Sequence, residues 1–258
     1  MPTSLRGTGA TAPRLKGRYV ADLFSGCGGV AKAVRRQGFQ AREWERLQGE
    51  NFDLTRPCVL RHIEQEASRS KIIAAMLAPP CGSFSGINRF AGRTRADPWA
   101  STFAHETPYM VESVRIGNAC MRAALRLIRI FERHRVPWIL EHPRTSRAWW
   151  LEAFNKLQRL PHVELLFLDQ CQYGTPWKKS TALLCSRIDC QQRLTKRCAG
   201  NKRNLCSRTQ QPHIVLRGAD PKSGRNWTSI ASPYPPPLNR SLAFALTDGA
   251  RHKCAPIF

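Results

Sequence analysis

Short apolar runs ending in glycine, proline or cysteine punctuate this chain, and longer stretches with helical apolar spacing separate them. The run Tyr19-Val20-Ala21-Asp22-Leu23-Phe24 stops at Ser25-Gly26-Cys27-Gly28-Gly29 and reads as a buried strand entering a tight turn. Residues 30–37 have helical character and are closed by Gly38. Residues 72–78 form a second apolar run, ending at Pro79-Pro80-Cys81. Ile116, Cys120, Ala123, Leu127, Ile130 and His134 recur at helical spacing and predict an amphipathic helix. Trp138-Ile139-Leu140-Glu141 is strand-like and ends at His142-Pro143. A helix over 146–160, strands over 163–168 and 182–185, and a short terminal helix over 238–246 follow. Strands alternating with helices predict an α/β fold, a parallel sheet covered by helices on both faces.

Two stretches break the alternation. Residues 82–117 are polar and irregular, with Arg89, Arg93, Arg95, Trp99 and Tyr109 spread through them. A loop of that length is either functional or disordered. Residues 186–232 lack periodicity and hold Arg187, Arg193, Lys196, Arg197, Lys202, Arg203, Arg208, Arg217, Lys222 and Arg225 against Asp189 and Asp220. The expected organisation is a basic flexible arm (1–18), a core (19–185), a small basic insert (186–232) and a C-terminal helix returning to the core (233–258).

Charge narrows the function. Lys and Arg number 41 against 18 Asp and Glu, a net charge of +23 with a pI near 10.6. Such a field suits a polyanion partner, because each neutralised phosphate releases counterions; enzymes of small metabolites have no need of it. Charge alone leaves DNA, RNA and an anionic membrane surface open. No run of apolar residues is long enough to span a bilayer, and no secretory signal is visible. Ten cysteines without such a signal point to reduced thiols and an intracellular setting: the nucleus in a eukaryote, the cytoplasm in a bacterium or a virus-infected cell.

Three strands end in chemically loaded residues, and in open α/β sheets ligands bind beyond the carboxyl ends of the strands. The glycine turn lets backbone approach a ligand closely and presents amides at a helix start, as an ordinary strand–helix turn also does. Cys81, between two prolines and a glycine, is either a rigidly placed nucleophile or a buried core thiol. Glu141 ends a very apolar strand, as a proton donor with a raised pKa or as a structural carboxylate would.

Together these motifs resemble the cytosine-C5 DNA methyltransferases. Asp22-Leu23-Phe24-Ser25-Gly26-Cys27-Gly28-Gly29 is similar to that family's S-adenosylmethionine-binding motif, Pro79-Pro80-Cys81-Gly82-Ser83-Phe84-Ser85 to its nucleophile motif, and Glu141-His142-Pro143 to its glutamate motif, with His142 where Asn is usual. Order and spacing agree over residues 19–185. The resemblance implies a class I, Rossmann-like S-adenosylmethionine-dependent methyltransferase with a mostly parallel sheet, and S-adenosylmethionine as cofactor. It places Phe24, Ser25, Gly26, Cys27, Gly28, Gly29 and Pro80 at the cofactor, Glu43 on its ribose, Trp44 on its adenine ring and Asp53 on its adenine amine. It makes Cys81 the nucleophile, Glu141 the acid and Lys179 the cation near the base carbonyl. Tyr173-Gly174-Thr175-Pro176-Trp177-Lys178-Lys179-Ser180-Thr181 departs from the family's Tyr-Gly-x-Pro-Gln-x-Arg-x-Arg segment at Trp177, Lys179 and Thr181, and Lys lacks the planar fork of Arg. The family's last two motifs are not recognisable and its recognition domain is short here.

In the implied mechanism Cys81 attacks C6 of a base turned out of the stack, and the loop after Cys81 is a lid over it or a disordered surface loop. DNA is favoured over RNA as partner. An RNA methyltransferase and a silent nucleic-acid-binding relative are the alternatives; Trp177 and Thr181 favour the last, while retention of Cys81 and Glu141 opposes it. The resemblance leaves the oligomeric state open. In the insert, Cys190, Cys198, Cys206 and His213 are ligand types suited to a structural zinc, at spacings unlike the usual close cysteine pair.

Overall fold

The computed structural model describes residues 17–86, 88, 91–102, 107–200 and 205–254. Arg89, Lys202, Arg203 and most of the basic N-terminal arm lie outside them. The first strand, β1 (Tyr19–Leu23), is followed by α1 (Gly29–Arg36), the edge strand β2 (Ala41–Trp44), α2 (Pro57–Ser68) and β3 (Ile72–Leu77). The long helix α3 (Pro108–Arg133) leads to β4 (Trp138–Pro143), and the short helix α4 (Glu152–Leu157) leads to β5 (Val163–Asp169) and β6 (Ser180–Ser186). Two one-turn helices, α5 (Gln191–Leu194) and α6 (Trp227–Ile230), and the terminal α7 (Pro236–Cys254) complete the chain. Among the described residues no helix is long and apolar enough to cross a membrane.

These elements build an α/β fold on one six-stranded sheet of order β2-β1-β3-β4-β6-β5, compatible with a Rossmann-like architecture. The sheet is mostly parallel, but β6 runs antiparallel to both β4 and β5. The expected mostly parallel sheet is what forms, and its antiparallel strand has a physical reason. Residues 170–179 join β5 to β6 without a crossover helix, and a short connection returns the chain alongside its own strand.

Strand side chains alternate between two apolar layers. Tyr19, Ala21 and Leu23 of β1 join Leu60 and Ile63 of α2, Met121 and Leu127 of α3 and Phe154 of α4. Val20 joins Val30 and Val34 of α1 and Leu238, Leu242 and Leu246 of α7 on the opposite face. Buried on both faces, β3 and β4 need the near-continuous apolar sequence they have.

Helix α3 begins eight residues before the first periodic position, Ile116. Thr107 caps it, its side chain accepting from the Met110 amide, and Pro108 occupies the first turn, where a missing N–H costs nothing. The helix expected over 146–160 is instead a 3-10 turn at Arg147–Trp150 and then α4, because Leu151 between them is extended (φ −66°, ψ 128°). The terminal helix is longer than the expected 238–246, running from Pro236.

Candidate active site

Adjacent parallel strands β1, β3 and β4 run in register (Leu23 beside Leu77, Leu77 beside Leu140) and therefore end at one edge. The glycine turn, Pro79-Pro80-Cys81 and Glu141-His142-Pro143 are gathered there. Backbone at the first of these is unusual. Phe24, Gly26 and Gly28 all have positive φ (58°, 54° and 66°), and Gly28 caps α1. A Cβ on Gly28 would lie 2.0 Å from Glu43 Oε2, and one on Gly29 would lie 2.6 Å from the Asn239 amide of α7. The Glu43 and Asn239 side-chain ends could shift, but the positive φ of Gly28 by itself favours glycine there.

The positions that the resemblance assigns to the cofactor surround this turn. The Gly26 amide donates to Glu45 Oε2 (3.0 Å), Ser25 N–H to the Trp44 carbonyl (3.2 Å) and Lys32 Nζ to the Cys27 carbonyl (2.9 Å). The Ser25 hydroxyl is buried without a partner. Glu43 Oε1 accepts from Arg35 (2.6 Å), while Trp44 is buried in the apolar layer beside Tyr19, ring centroids 6.1 Å apart. Asp53 Oδ1 accepts from the Thr55 amide and hydroxyl. Pro80 is exposed at the end of the β3 connection. A cavity of about 680 Å³ opens beside β2, lined by Glu43 and Trp44 together with Arg35, Phe52 and His62; the glycine turn does not line it.

Asp22, under the turn, accepts from the Ala31 amide (3.0 Å). Burial raises its carboxyl to about 7; the Ala31 amide opposes that, and Glu43 adds to it. With the folded pKa above the ordinary value, the native state holds the extra proton between about pH 4 and 7, so stability falls as pH rises through that window. Asp22→Asn is expected to remove this slope, worth on the order of 2 kcal/mol between pH 5 and 7. Urea unfolding of both proteins at pH 5 and pH 8 reads the difference; identical slopes would refute it.

Cys81, Glu141 and Lys179 come together, close enough that their charges act on one another. Burial raises the Cys81 thiol, Glu141 raises it further, and Lys179 opposes both. Glu141 is buried, and burial raises its carboxyl against the pull of Lys179. Its Oε2 accepts from the Tyr234 hydroxyl (2.9 Å), and its Oε1 is buried with no partner. Lys179, at a positive φ of 28°, donates from Nζ to the Ala231 carbonyl (2.7 Å). Tyr234 escaped the sequence reading as a site residue; its signal is a lone aromatic hydroxyl inside the rigid run Pro233-Tyr234-Pro235-Pro236-Pro237.

The neighbours of the pair are apolar and tightly held. His142 is fully buried, both ring nitrogens unpartnered, its ring edge-on to Phe84 (6.1 Å) and Trp149 (6.2 Å). Burial pushes its imidazole down to about 3, so it is neutral. Arg93, one of the loop arginines, is buried rather than solvent-facing. It donates to the Ser83 carbonyl (2.9 Å) and hydroxyl (2.9 Å), to the Pro98 carbonyl and to Asn118 of α3, with its guanidinium 3.5 Å from the Phe84 ring centroid. Arg93 thus clamps the turn after Cys81 onto α3. At the departures from the family, the Trp177 indole N–H is buried without a partner, and Thr181 is buried in β6 beside Pro143.

A second cluster lies at the start of the insert. Cys171, Cys198, Cys206 and His213 are all buried, with potential ligand atoms within 4.8 Å of one another; such a group could hold a metal ion. Cys171 replaces Cys190 of the expected set. Cys190 is buried beneath α7, a free thiol hydrogen-bonded to that of Cys185 of β6. The insert folds back over the turn that follows β5, and this turn supplies Cys171. Compared with models of known protein families and with curated proteins, the chain matches none.

Proposed function

We propose that the chain is a class I S-adenosylmethionine-dependent methyltransferase that methylates C5 of cytosine in DNA. One observation carries the reading: Cys81 and Glu141 leave neighbouring strand ends for one buried site, and Glu141 keeps an unpartnered oxygen while Tyr234 holds the other. A thiol beside a carboxylic acid is the pair that cytosine C5 chemistry requires, since C5 gains nucleophilic character only after addition at C6.

The donor chemistry fits the cofactor at one point: Glu43 and Trp44, next to the glycine turn, line a cavity beside β2 of small-molecule size. Glu43, Trp44 and the turn from Phe24 to Gly29 would hold it, with Asp53 nearby. S-adenosylmethionine, when bound, supplies an electrophilic methyl group. The chain's residues do the rest. Cys81 thiolate adds to C6 and its electron pair moves into the ring, with Glu141 donating a proton or hydrogen bond at N3. After C5 is methylated, loss of the C5 proton returns the electrons, the C6–S bond breaks and Cys81 leaves as thiolate. Lys179 stabilises negative charge at the thiol and at Glu141. The net charge of +23 suits the DNA backbone.

The test is transfer from methyl-labelled S-adenosylmethionine to DNA and, separately, to RNA, followed by nucleoside analysis. Label in 5-methylcytosine from DNA is the expected result. Label in RNA alone would move the substrate to RNA. Cofactor binding without transfer to either would leave a nucleic-acid-binding protein on this frame.

A further inference from the structure

Between residues 195 and 230 the described chain buries almost nothing that could make a core. Among the described residues of that span, Cys198, Cys206 and His213 are the only buried ones. Three residues of metal-ligand type, gathered with Cys171 of the β5–β6 connection, stand where a small domain would place leucines. Segments with so little apolar area are ordinarily held by a disulfide framework or a metal.

We propose that Cys171, Cys198, Cys206 and His213 bind one structural zinc ion, which fastens the basic insert to the edge of the sheet. Tetrahedral zinc, with sulfur at about 2.3 Å and nitrogen at about 2.0 Å, sets its ligand atoms about 3.5–3.8 Å apart. Cys198 Sγ lies 3.7 Å from His213 Nε2, and all four ligand atoms fall within 4.8 Å. Four protein ligands close the shell, so the site is structural and not catalytic. The backbone is already turned toward thiolates. The Ser207 amide donates to Cys198 Sγ (3.4 Å), as does the Gly200 amide, and the Arg208 and Thr209 amides point at Cys206. Amides two residues beyond a cysteine are well placed to stabilise a metal-bound sulfur, and a Cβ at Gly200 would meet the Leu205 carbonyl at 2.5 Å, which reserves that turn for glycine. Gln172 adds side-chain contacts to Cys171 and Cys206.

Three thiolates and a neutral imidazole leave the zinc centre with one negative charge, in the most basic part of the chain. Outside this shell, Asp169 at the end of β5 accepts from the Cys198 amide (2.8 Å) and from Arg197 (3.0 Å), and Arg208 donates to the Cys171 carbonyl (2.7 Å). Beyond the cluster, the Ile214 amide donates to the Pro176 carbonyl, in the β5–β6 connection that also carries Lys179. Metal loss would therefore free the insert and loosen the connection leading to Lys179.

Metal content of the full-length chain, purified reduced and without chelator, tests the site independently of any methyl transfer. One zinc per chain is expected, and cobalt exchanged for it should give tetrahedral ligand-field bands with sulfur-to-cobalt charge transfer. Cys171→Ser and Cys206→Ser should lose the metal, Cys190→Ser should keep it, and His213→Cys should keep it with stronger charge transfer. Chelation should expose residues 186–232 to protease. The proposal is overturned by a reduced wild-type protein that neither contains zinc nor binds cobalt, by a disulfide among Cys171, Cys198 and Cys206 in the native protein, or by a Cys190→Ser protein that loses the metal.

Discussion

Cys81→Ser is expected to lower methyl transfer by roughly 10³-fold or more while leaving DNA and cofactor binding near wild type. Serine preserves the shape of a side chain that is partly buried at the sheet edge, so the fold has little reason to change. What is lost is the anion: an alkoxide lies far above any pKa that Lys179 could correct. DNA containing 5-fluorocytosine sharpens the measurement. Fluorine at C5 cannot leave as a proton, so the adduct formed by wild-type protein cannot collapse and should survive denaturing electrophoresis. The serine variant should give no such species. The thiol itself is raised by burial and by Glu141, so the thiolate that forms the adduct is the minor form near neutral pH. A serine variant that transfers methyl at the wild-type rate would remove Cys81 from the mechanism.

That site was legible in sequence because its parts sit where apolar runs stop. Strands β1, β3 and β4 are buried on both faces, so their composition is unmistakable, and Gly26, Cys81 and Glu141 mark their ends. Strand β2 carried no such signal: Ala41-Arg42-Glu43-Trp44 is a four-residue edge strand with one buried position. The start of α3 was hidden because Tyr109 and Val111 are exposed, leaving its first turns without an apolar face. Spacing within the insert placed Cys198, Cys206 and His213 in the ligand set but took Cys190 for the fourth, because the fourth ligand comes from outside the segment. Asp169 draws Cys198 onto the turn after β5, and Cys171 is supplied from outside the segment. Tyr234 reaches Glu141 across 93 residues of chain, a contact that no local pattern encodes.

The Glu141–Tyr234 pair yields the second large effect. Glu141→Gln is expected to reduce kcat by about 10²–10⁴-fold, since an amide cannot donate an acidic proton to N3 as charge builds there. Glutamine is nearly isosteric and can still accept from Tyr234, which keeps a structural explanation apart from a chemical one. The pH profile separates them further. Transfer needs the Cys81 thiolate and the protonated Glu141 carboxyl together, and burial raises both groups, so the profile is a bell with one limb from each ionisation. Because Cys81 and Glu141 act on each other, the two limbs belong to the pair and not to either residue. The Tyr234 hydroxyl bond favours the ionised carboxylate; Tyr234→Phe removes it, raises the Glu141 pKa further and should move the limb set by Glu141 to higher pH. Glu141→Gln should abolish that limb, leaving a rate that only climbs with pH. An unchanged bell in the Gln variant would show that neither limb comes from Glu141, and that Glu141 is a structural carboxylate at the end of its strand.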